Sequence, residues 1–396
     1  MVKQIDGKKN ELWLKASVIG GLWASMEIIV GSFLHNTRLP FAGSILAFAG
    51  TVLLIGFYQI WPVRGLIFRA GFITAMMKSV SPSAIILGPM TGILMEALLI
   101  EMTLWLLGNH VVSASVAGIL SLSSALFHKI ISVLILYGFD IIKVYVNIIN
   151  FGLKQMGVKE AAPLDILKVL LFVYVLFGIM SGLMGYFLGK KARKLKAEIP
   201  AEIRSKGVKE KEFFEMKEQR ESRLGWLIFH LISIPLVLYL FNRVGWGIGL
   251  LAAVLYLLPV ALVYRKSMRR LRKPVFWSQL LVILVLSTLF WNVQDAHGIR
   301  LSQEGLLAGL EMMVRATFII VAFSALSVEL RNEKVKGFLE RIGVGKFYEA
   351  ISLAFGALPQ MIALLPTARE IIKEPVRSLL KPLVYADSWL EIFKRK

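Results

Sequence analysis

Long, uninterrupted apolar runs constrain the fold of this chain more than any other feature of its sequence. Several reach about 18 residues or more, the length that a helix needs to cross about 30 Å of hydrocarbon. Charged residues make up only 18% of the chain, against about 25% in soluble domains. We therefore predict an all-α polytopic membrane protein with about ten transmembrane helices, followed by C-terminal cytoplasmic or interfacial amphipathic helices.

The excess of basic residues has a simple explanation in such a protein. The formal net charge is +20, which in a soluble chain would suggest a nucleic-acid partner. Lys and Arg also accumulate in the cytoplasmic loops of membrane proteins, so we expect no nucleic-acid binding here. The chain has no cysteine, which excludes disulfides, thiolate metal sites and cysteine nucleophiles.

The positions of the basic residues predict the topology of the first half. Residues 1–15 are basic, and 190–223 contains twelve Lys/Arg and seven Glu, so both are predicted to be cytoplasmic. Six crossings between these two stretches satisfy both conditions, with an interfacial helix at 140–163 before the sixth crossing. The predicted spans are 14–34, 41–61, 66–77, 85–107, 111–137 and 164–188.

The second half follows the same rule. Basic residues fill 265–273, and a mixed-charge stretch begins at 329, so both are predicted to be cytoplasmic. The apolar segment 349–365 contains proline, which removes a helical hydrogen bond. We interpret 329–396 as amphipathic helices along the cytoplasmic face, with a re-entrant hairpin as the alternative. The predicted spans are 224–241, 245–264, 275–291 and 306–328.

These features divide the chain into four predicted segments. Residues 1–189 form a membrane domain of six helices, and 190–223 form a charged cytoplasmic linker. Residues 224–328 form a membrane domain of four helices, and 329–396 form cytoplasmic helices. Both termini are predicted to be cytoplasmic. The mixed charge of the linker is typical of a semi-rigid spacer and not of a binding site.

Small residues predict a packing seam on the first span. Ala16, Gly20 and Ala24 lie four apart, a spacing that lets another helix approach backbone to backbone. The alternative is that Gly and Ala are simply common in membrane helices. The segment SPSAIILGPMTG at 81–92 breaks an apolar run. Broken backbone at membrane depth survives only inside protein or beside a cavity, so this segment is either a packing kink or ligand-facing.

Ionisable and polar residues in or beside the predicted spans are the candidate solute-binding residues, because charges are costly in hydrocarbon. Glu101 lies near a predicted cytoplasmic end, where we expect it to be exposed to water. It is five residues from Glu96, so the two carboxylates do not share a helical face. For residues near the predicted outer surface, interfacial anchoring is the alternative role. The candidates are Glu27, His35, Asn36, Arg38, Lys78, Ser81, Glu96 and His128.

Catalytic motifs are absent from the sequence. There is no G-x-S-x-G, no HExxH and no Asp-rich Mg²⁺ motif. The segment GVGKF at 343–347 lacks the first glycine of a P-loop and has Phe347 where Ser or Thr would bind Mg²⁺. The five histidines show no metal-ligand spacing. We therefore expect no enzyme activity, no cofactor and no metal site in this chain.

Two stretches of the chain resemble components of energy-coupling factor (ECF) transporters. Residues 14–190 resemble the substrate-capture (S) component in their six spans, their small-residue first helix, NTRLPFAGSILAF and SPSAIILGPMTG. Residues 224–380 resemble the transmembrane coupling (T) component in RKSMRRLRK, in EGLLAGLEMMVRATFIIVAFSAL with Arg315, in ELRNEKVKGFLERIGV and in ALPQMIALLPTAREI. The chain is thus similar to an S component fused to a T component.

The resemblance implies a membrane subunit of an ATP-driven importer in a bacterial cytoplasmic (inner) membrane. The S-like half would bind a small, vitamin-like solute from outside. The T-like half would dock two separate P-loop ATPase subunits, which would hold the ATP and Mg²⁺. In the family, short Arg-centred motifs make this contact. The matching positions here are Arg369, Val376, Arg377 and Ser378.

Two other functions stay open from the sequence. A stand-alone secondary transporter would use Glu27, Glu96 or Glu101 as ion or proton relays, although such folds usually contain inverted repeats that these halves lack. A non-transporting assembly or regulatory membrane protein would bind no solute.

Overall fold

The computed structural model describes most of the chain. The described residues are helical and contain no strand, so the predicted all-α class is confirmed. Most of the predicted linker and the basic loop 265–273 lie outside the described residues. The structure describes residues 2–36, 42–79, 87–156, 162–195, 198–200, 224–244, 246–264, 274–292, 301–330, 345–366, 370 and 373–395.

The helices follow the predicted spans closely, and we number them in chain order. The first seven are α1 Val2–Asn36, α2 Ala42–Ile60, α3 Leu66–Ser79, α4 Leu87–Leu107, α5 Val111–Tyr137, α6 Asp140–Gln155 and α7 Pro163–Leu195. The others are α8 Leu224–Arg243, α9 Trp246–Val263, α10 Pro274–Phe290, α11 Gln303–Leu330, α12 Gly345–Leu364, α13 Pro375–Val384 and α14 Ala386–Lys394.

Six helices in the described part of the chain are long and apolar enough to cross a membrane. They contain the segments Ala42–Ile60, Pro89–Leu107, Val111–Tyr137, Leu164–Leu195, Gly225–Arg243 and Gln303–Leu326. Shorter apolar helical segments are Gly247–Val263, Leu280–Phe290 and Glu349–Leu364. The polytopic membrane class is therefore confirmed. The number of about ten crossings and the orientation of the termini stay predictions.

The chain divides into two compact units, and each unit is assembled from separate stretches of sequence. Unit 1 consists of Met1–His128, Leu171–Glu218 and Gly337–Lys396. Unit 2 consists of Lys129–Leu170 and Gln219–Lys336. The C-terminal helices α12, α13 and α14 therefore belong to the same unit as α1, a grouping that no local pattern in the sequence indicates.

Helix α1 forms the centre of unit 1. It packs against α3 on one side and against α12 on another. Gly20 faces α3, where an added Cβ would lie 2.8 Å from the Cβ of Ile73. Gly21 faces α12, where an added Cβ would lie 2.7 Å from the Sδ of Met361. Small residues on α1 therefore allow two neighbouring helices to pack closely against it at the same level.

Helices α13 and α14 complete unit 1 by packing on α2 and α1. The side chain of Leu383 lies against Gly56, and Trp61 donates a 3.0 Å hydrogen bond from its indole N–H to Asp387. Lys394 donates to the carboxylate of Glu11 at 3.2 Å. Hydrogen bonds from Lys15 and Lys394 lower the pKa of Glu11.

Helix α7 makes the closest helix contacts in unit 1 through four glycines. Gly178 and Gly182 face α5, where the backbones of Gly118 and Ala114 would collide with an added Cβ. Gly185 and Gly189 face α2 in the same way, against the carbonyls of Val52 and Gly56. This small-xxx-small pattern allows backbones to approach, as in other membrane helix pairs. The sequence analysis placed a seam on α1 and overlooked the one on α7.

Unit 2 contains α6 and α8 to α11, and polar side chains close the ends of its helices. Asn147 on α6 donates from its amide to the carbonyls of Phe290 and Trp291, at 2.7 and 3.0 Å, where α10 ends. Arg315 on α11 donates to the carbonyl of Ile135 at 2.9 Å, in the last turn of α5. Carbonyls at a helix end have no intrahelical partner, so these two side chains satisfy groups that would otherwise be orphaned.

Candidate solute-binding site

A buried ion pair lies between α1 and α3 in unit 1. The ammonium of Lys78 is 3.2 Å from the Glu27 carboxylate, and the two side chains are only 10% and 9% exposed. The same ammonium donates to the backbone carbonyl of Glu27 at 3.1 Å. Interfacial anchoring was the alternative role for Lys78, and its burial against Glu27 excludes that role.

A second buried carboxylate is held by hydroxyl groups. Thr51 on α2 donates to Glu96 Oε1 on α4 at 3.0 Å, and the Thr51 and Ser121 hydroxyls are 2.7 Å apart. Thr51 and Ser121 are fully buried, and Glu96 is 6% exposed. The Glu27 carboxylate is close enough to Glu96 to act on it electrostatically. The ion pair and the hydroxyl network therefore belong to one neighbourhood.

The indole of Trp23 supplies an unsatisfied donor beside Glu96. Its Nε1 is buried and has no hydrogen-bond partner among the described residues. Gly50 lies between the two side chains: an added Cβ would be 2.9 Å from Trp23 Nε1 and 2.9 Å from Glu96 Oε1. The missing side chain at position 50 therefore brings the indole N–H and the carboxylate to the same patch of α2.

We call this group of side chains the polar cluster. It brings together charged, hydroxyl and indole groups from α1 to α5, inside a bundle whose other buried residues are mostly apolar. Two carboxylates and one ammonium are buried there. Buried charges are expensive in membrane proteins and usually mark ligand or ion sites. The polar cluster consists of Trp23, Glu27, Thr51, Lys78, Glu96 and Ser121.

The structure places the other candidate residues outside the polar cluster or outside the described part of the chain. His128 on α5 lies against Gly92 of α4, where an added Cβ would be 3.4 Å from its imidazole Cδ2. His35 and Asn36 are in the last turn of α1, with side chains outside those described. Arg38 and Ser81 lie outside the described residues.

Glu101 does not have the exposed position that we expected. It is 9% exposed, and its carboxylate accepts backbone N–H groups from Gly65 at 2.6 Å and Ile67 at 2.8 Å. It also accepts from Phe68 at 3.2 Å. Gly65 has a φ of +76°, which favours glycine. Glu101 is therefore the cap of α3, because a carboxylate satisfies amides that have no intrahelical acceptor.

Replacing Glu101 by alanine should destabilise unit 1 by about 1–3 kcal/mol, because three buried N–H groups would lose their acceptor. Glu101→Gln retains one side-chain oxygen and should lose less. Thermal unfolding of the detergent-solubilised chain measures both variants. Equal stability of Glu101→Ala and wild type would contradict a capping role.

Unit 2 contains a polar network that the sequence analysis did not single out. His230 on α8 is fully buried, and its ring nitrogens are 2.7 Å from Tyr256 Oη and 3.1 Å from Tyr264 Oη. Tyr264 donates to Glu329 at 2.5 Å. The network joins α8, α9 and α11. Its members are far apart in the sequence, and no local spacing indicates that they meet.

The predicted ATPase-docking positions differ in exposure. Val376 is 53% exposed, and Arg377 is exposed with its guanidinium 3.1 Å from Glu374. Ser378 is buried at 8% exposure. Arg369 lies outside the described residues. At the start of α13, an arginine is therefore available at the surface of unit 1.

Metal ligation finds no support in the described residues. They contain no group of three or more His, Asp or Glu side chains that could hold a metal ion. No protein-family model, curated protein or solved structure matches this chain.

Proposed function

We propose that this chain is the membrane subunit of an importer that binds a small solute at the polar cluster of unit 1. The observation that carries this proposal is the burial of Glu27, Lys78 and Glu96 together within one apolar helix bundle. In the ECF-type assembly that the sequence resembles, two separate P-loop ATPase subunits would supply the energy for import. The chain itself would act as the capture and coupling component in the lipid bilayer.

Stability alone is a poor explanation for the polar cluster. Well-packed apolar residues in place of a buried ion pair are often neutral or stabilising, by about 1–4 kcal/mol. The cluster also leaves the Trp23 N–H without an acceptor, which is a further cost. A bound solute with complementary polar groups would offset both costs. We therefore assign the polar cluster to binding.

The C-terminal helices offer a path for coupling within unit 1. Helix α12 packs on α1, which carries Trp23 and Glu27, and α13 packs on α2, which carries Thr51. Arg377 is exposed on α13, and a guanidinium is well suited to forked hydrogen bonds in a partner's groove. Movement of α12 and α13 by a docked ATPase would therefore reach the helices that hold the solute.

Affinity purification of the full chain from its native membrane in mild detergent tests the coupling part of this proposal. We expect P-loop ATPase subunits to co-purify with the wild type. Arg377→Glu should lose them, because the reversed charge would face the same groove. Arg395→Glu reverses another exposed arginine of the C-terminal segment and is the matched control. Absence of any P-loop ATPase from the wild-type complex would reject ATP-driven coupling.

Proton-coupled secondary transport is a second candidate, and the position of Glu96 favours it. This carboxylate is buried among hydroxyl groups, a setting in which an acidic group can exchange a proton as the solute enters. Uptake that stops with an uncoupler and survives ATP depletion would support it. Uptake with the opposite pattern would support the ATP-driven importer.

A further inference from the structure

We propose that the solute carries one positive charge, as a protonated amine that binds Glu96, together with a hydrogen-bond acceptor that receives the Trp23 N–H. This inference rests on the proposed function and specifies the chemical class of the solute. It is drawn from the charges and hydrogen bonds of the polar cluster.

The first argument is charge balance within the polar cluster. Its ionisable members are Glu27, Lys78 and Glu96, and Lys78 is already paired with Glu27. No cationic side chain contacts Glu96 among the residues that the structure describes; its bonded partners there are hydroxyl groups. An ionised Glu96 therefore leaves the site one negative charge in excess. A ligand with a single positive charge neutralises that excess.

The second argument is the pattern of donors and acceptors. Thr51 and Ser121 occupy one side of the Glu96 carboxylate, which has about four lone-pair sites and can accept further hydrogen bonds. The Trp23 N–H is a donor only, and it is fully buried without a partner. An ammonium donates and cannot accept. The solute must therefore carry a second group, such as a hydroxyl or carbonyl oxygen, for the indole.

Gly50 explains how one small molecule can reach both groups. The site of its missing Cβ is 2.9 Å from Trp23 Nε1 and from Glu96 Oε1, so the two groups border the same stretch of α2 backbone. Any side chain at position 50 would crowd the indole ring and the carboxylate together.

Anionic and neutral solutes fit the polar cluster less well. The Lys78 ammonium already donates to the Glu27 carboxylate and to its backbone carbonyl. An anion would have to displace Glu27 and would also face Glu96, and like charges in a buried site repel strongly. A neutral amide would leave the Glu96 charge without compensation. The cation is the class that satisfies all of the described groups.

Thermal unfolding of the full chain in detergent, at constant ionic strength, tests the charge of the ligand with three probes of similar size. The probes are n-butylammonium, butyramide and butyrate. We expect only n-butylammonium to raise the unfolding midpoint, in a concentration-dependent manner, because a ligand stabilises the state that binds it. Glu96→Gln should abolish the rise. Glu391→Gln, which removes an exposed carboxylate of unit 1, should retain it.

A fourth probe tests the acceptor and separates the indole N–H from the indole ring. 3-Aminopropanol replaces the terminal methyl of n-butylammonium by a hydroxyl group. It should bind more tightly than n-butylammonium to the wild type, and this preference should disappear in Trp23→Phe. The comparison is made between two ligands on one variant, so a general loss of stability in Trp23→Phe does not affect it.

The outcomes separate this inference from the function on which it rests. Stabilisation by butyrate or butyramide in place of n-butylammonium would overturn the cation assignment and leave a solute site in place. Equal stabilisation by potassium chloride and n-butylammonium would overturn the amine in favour of an alkali cation. Native mass spectrometry of the purified chain provides a second readout: a co-purifying solute without an amine overturns the inference, whereas a protein that binds no solute of any class overturns the proposed function.

Discussion

Lys78→Met is expected to destabilise unit 1 by about 3–5 kcal/mol, because it leaves the Glu27 carboxylate buried without its partner. Both side chains of this pair are about nine-tenths buried, so water cannot replace the lost ammonium. The lost hydrogen bond to the Glu27 carbonyl adds to the cost. Denaturant or thermal unfolding of the detergent-solubilised chain measures the change.

A double variant and a surface pair provide the controls for this prediction. Glu27→Gln combined with Lys78→Met removes both charges and should recover most of the lost stability, since no unpaired charge remains. Lys168→Met breaks a 2.9 Å ion pair with Asp165 whose side chains are 75% and 58% exposed. It should cost no more than about 1 kcal/mol. Similar costs for Lys78→Met and Lys168→Met would contradict the burial of the first pair.

Gly118→Ala is expected to destabilise unit 1 by about 1–3 kcal/mol, even though alanine is the better helix former. A Cβ at this position would collide with the backbone carbonyl of Gly178 and would come within 2.9 Å of the backbone nitrogen of Gly182. Backbone atoms cannot move aside as the end of a flexible side chain can. Helices α5 and α7 would have to separate, and their packing would be lost. Unfolding in detergent measures the loss.

Gly43→Ala is the matched control for that substitution. Gly43 lies in α2 of the same unit, and an added Cβ there has nothing within 4 Å. The same chemical change should therefore stabilise the chain by up to about 1 kcal/mol through helix propensity. A loss of stability in Gly43→Ala as large as that in Gly118→Ala would show that close packing on α7 is not the cause.

The helices of this protein can be predicted from the sequence because they depend on local properties. The predicted span 111–137 coincides with α5, and 66–77 differs from α3 by two residues at its end. Apolar length and the absence of breakers within a segment decide whether that segment is helical. The ionisable residues Glu27, Lys78 and Glu96 were also identifiable one by one, since a charge in an apolar segment is visible wherever it occurs.

The partners of these residues could not be predicted, and Glu101 shows why. Its position near the end of an apolar run suggested contact with water, yet it accepts amides of α3 more than 30 residues earlier in the chain. His230 was one of five scattered histidines, and only the packing of α8 with α9 and α11 brings it to two tyrosines. Hydrogen bonds between distant segments depend on which helices are neighbours.

The sequence by itself determined the helical class, the helix positions and the charges that lie inside apolar segments, because each follows from hydrophobicity over one turn or one span. The tertiary structure decided that Glu27 pairs with Lys78, that Trp23 and Glu96 border Gly50, and that the C-terminal helices pack on α1 and α2. Hydrophobic burial is non-directional and is satisfied by many arrangements of apolar helices. The arrangement is selected by close backbone contacts at glycine and by buried polar pairs, which act between residues remote in sequence.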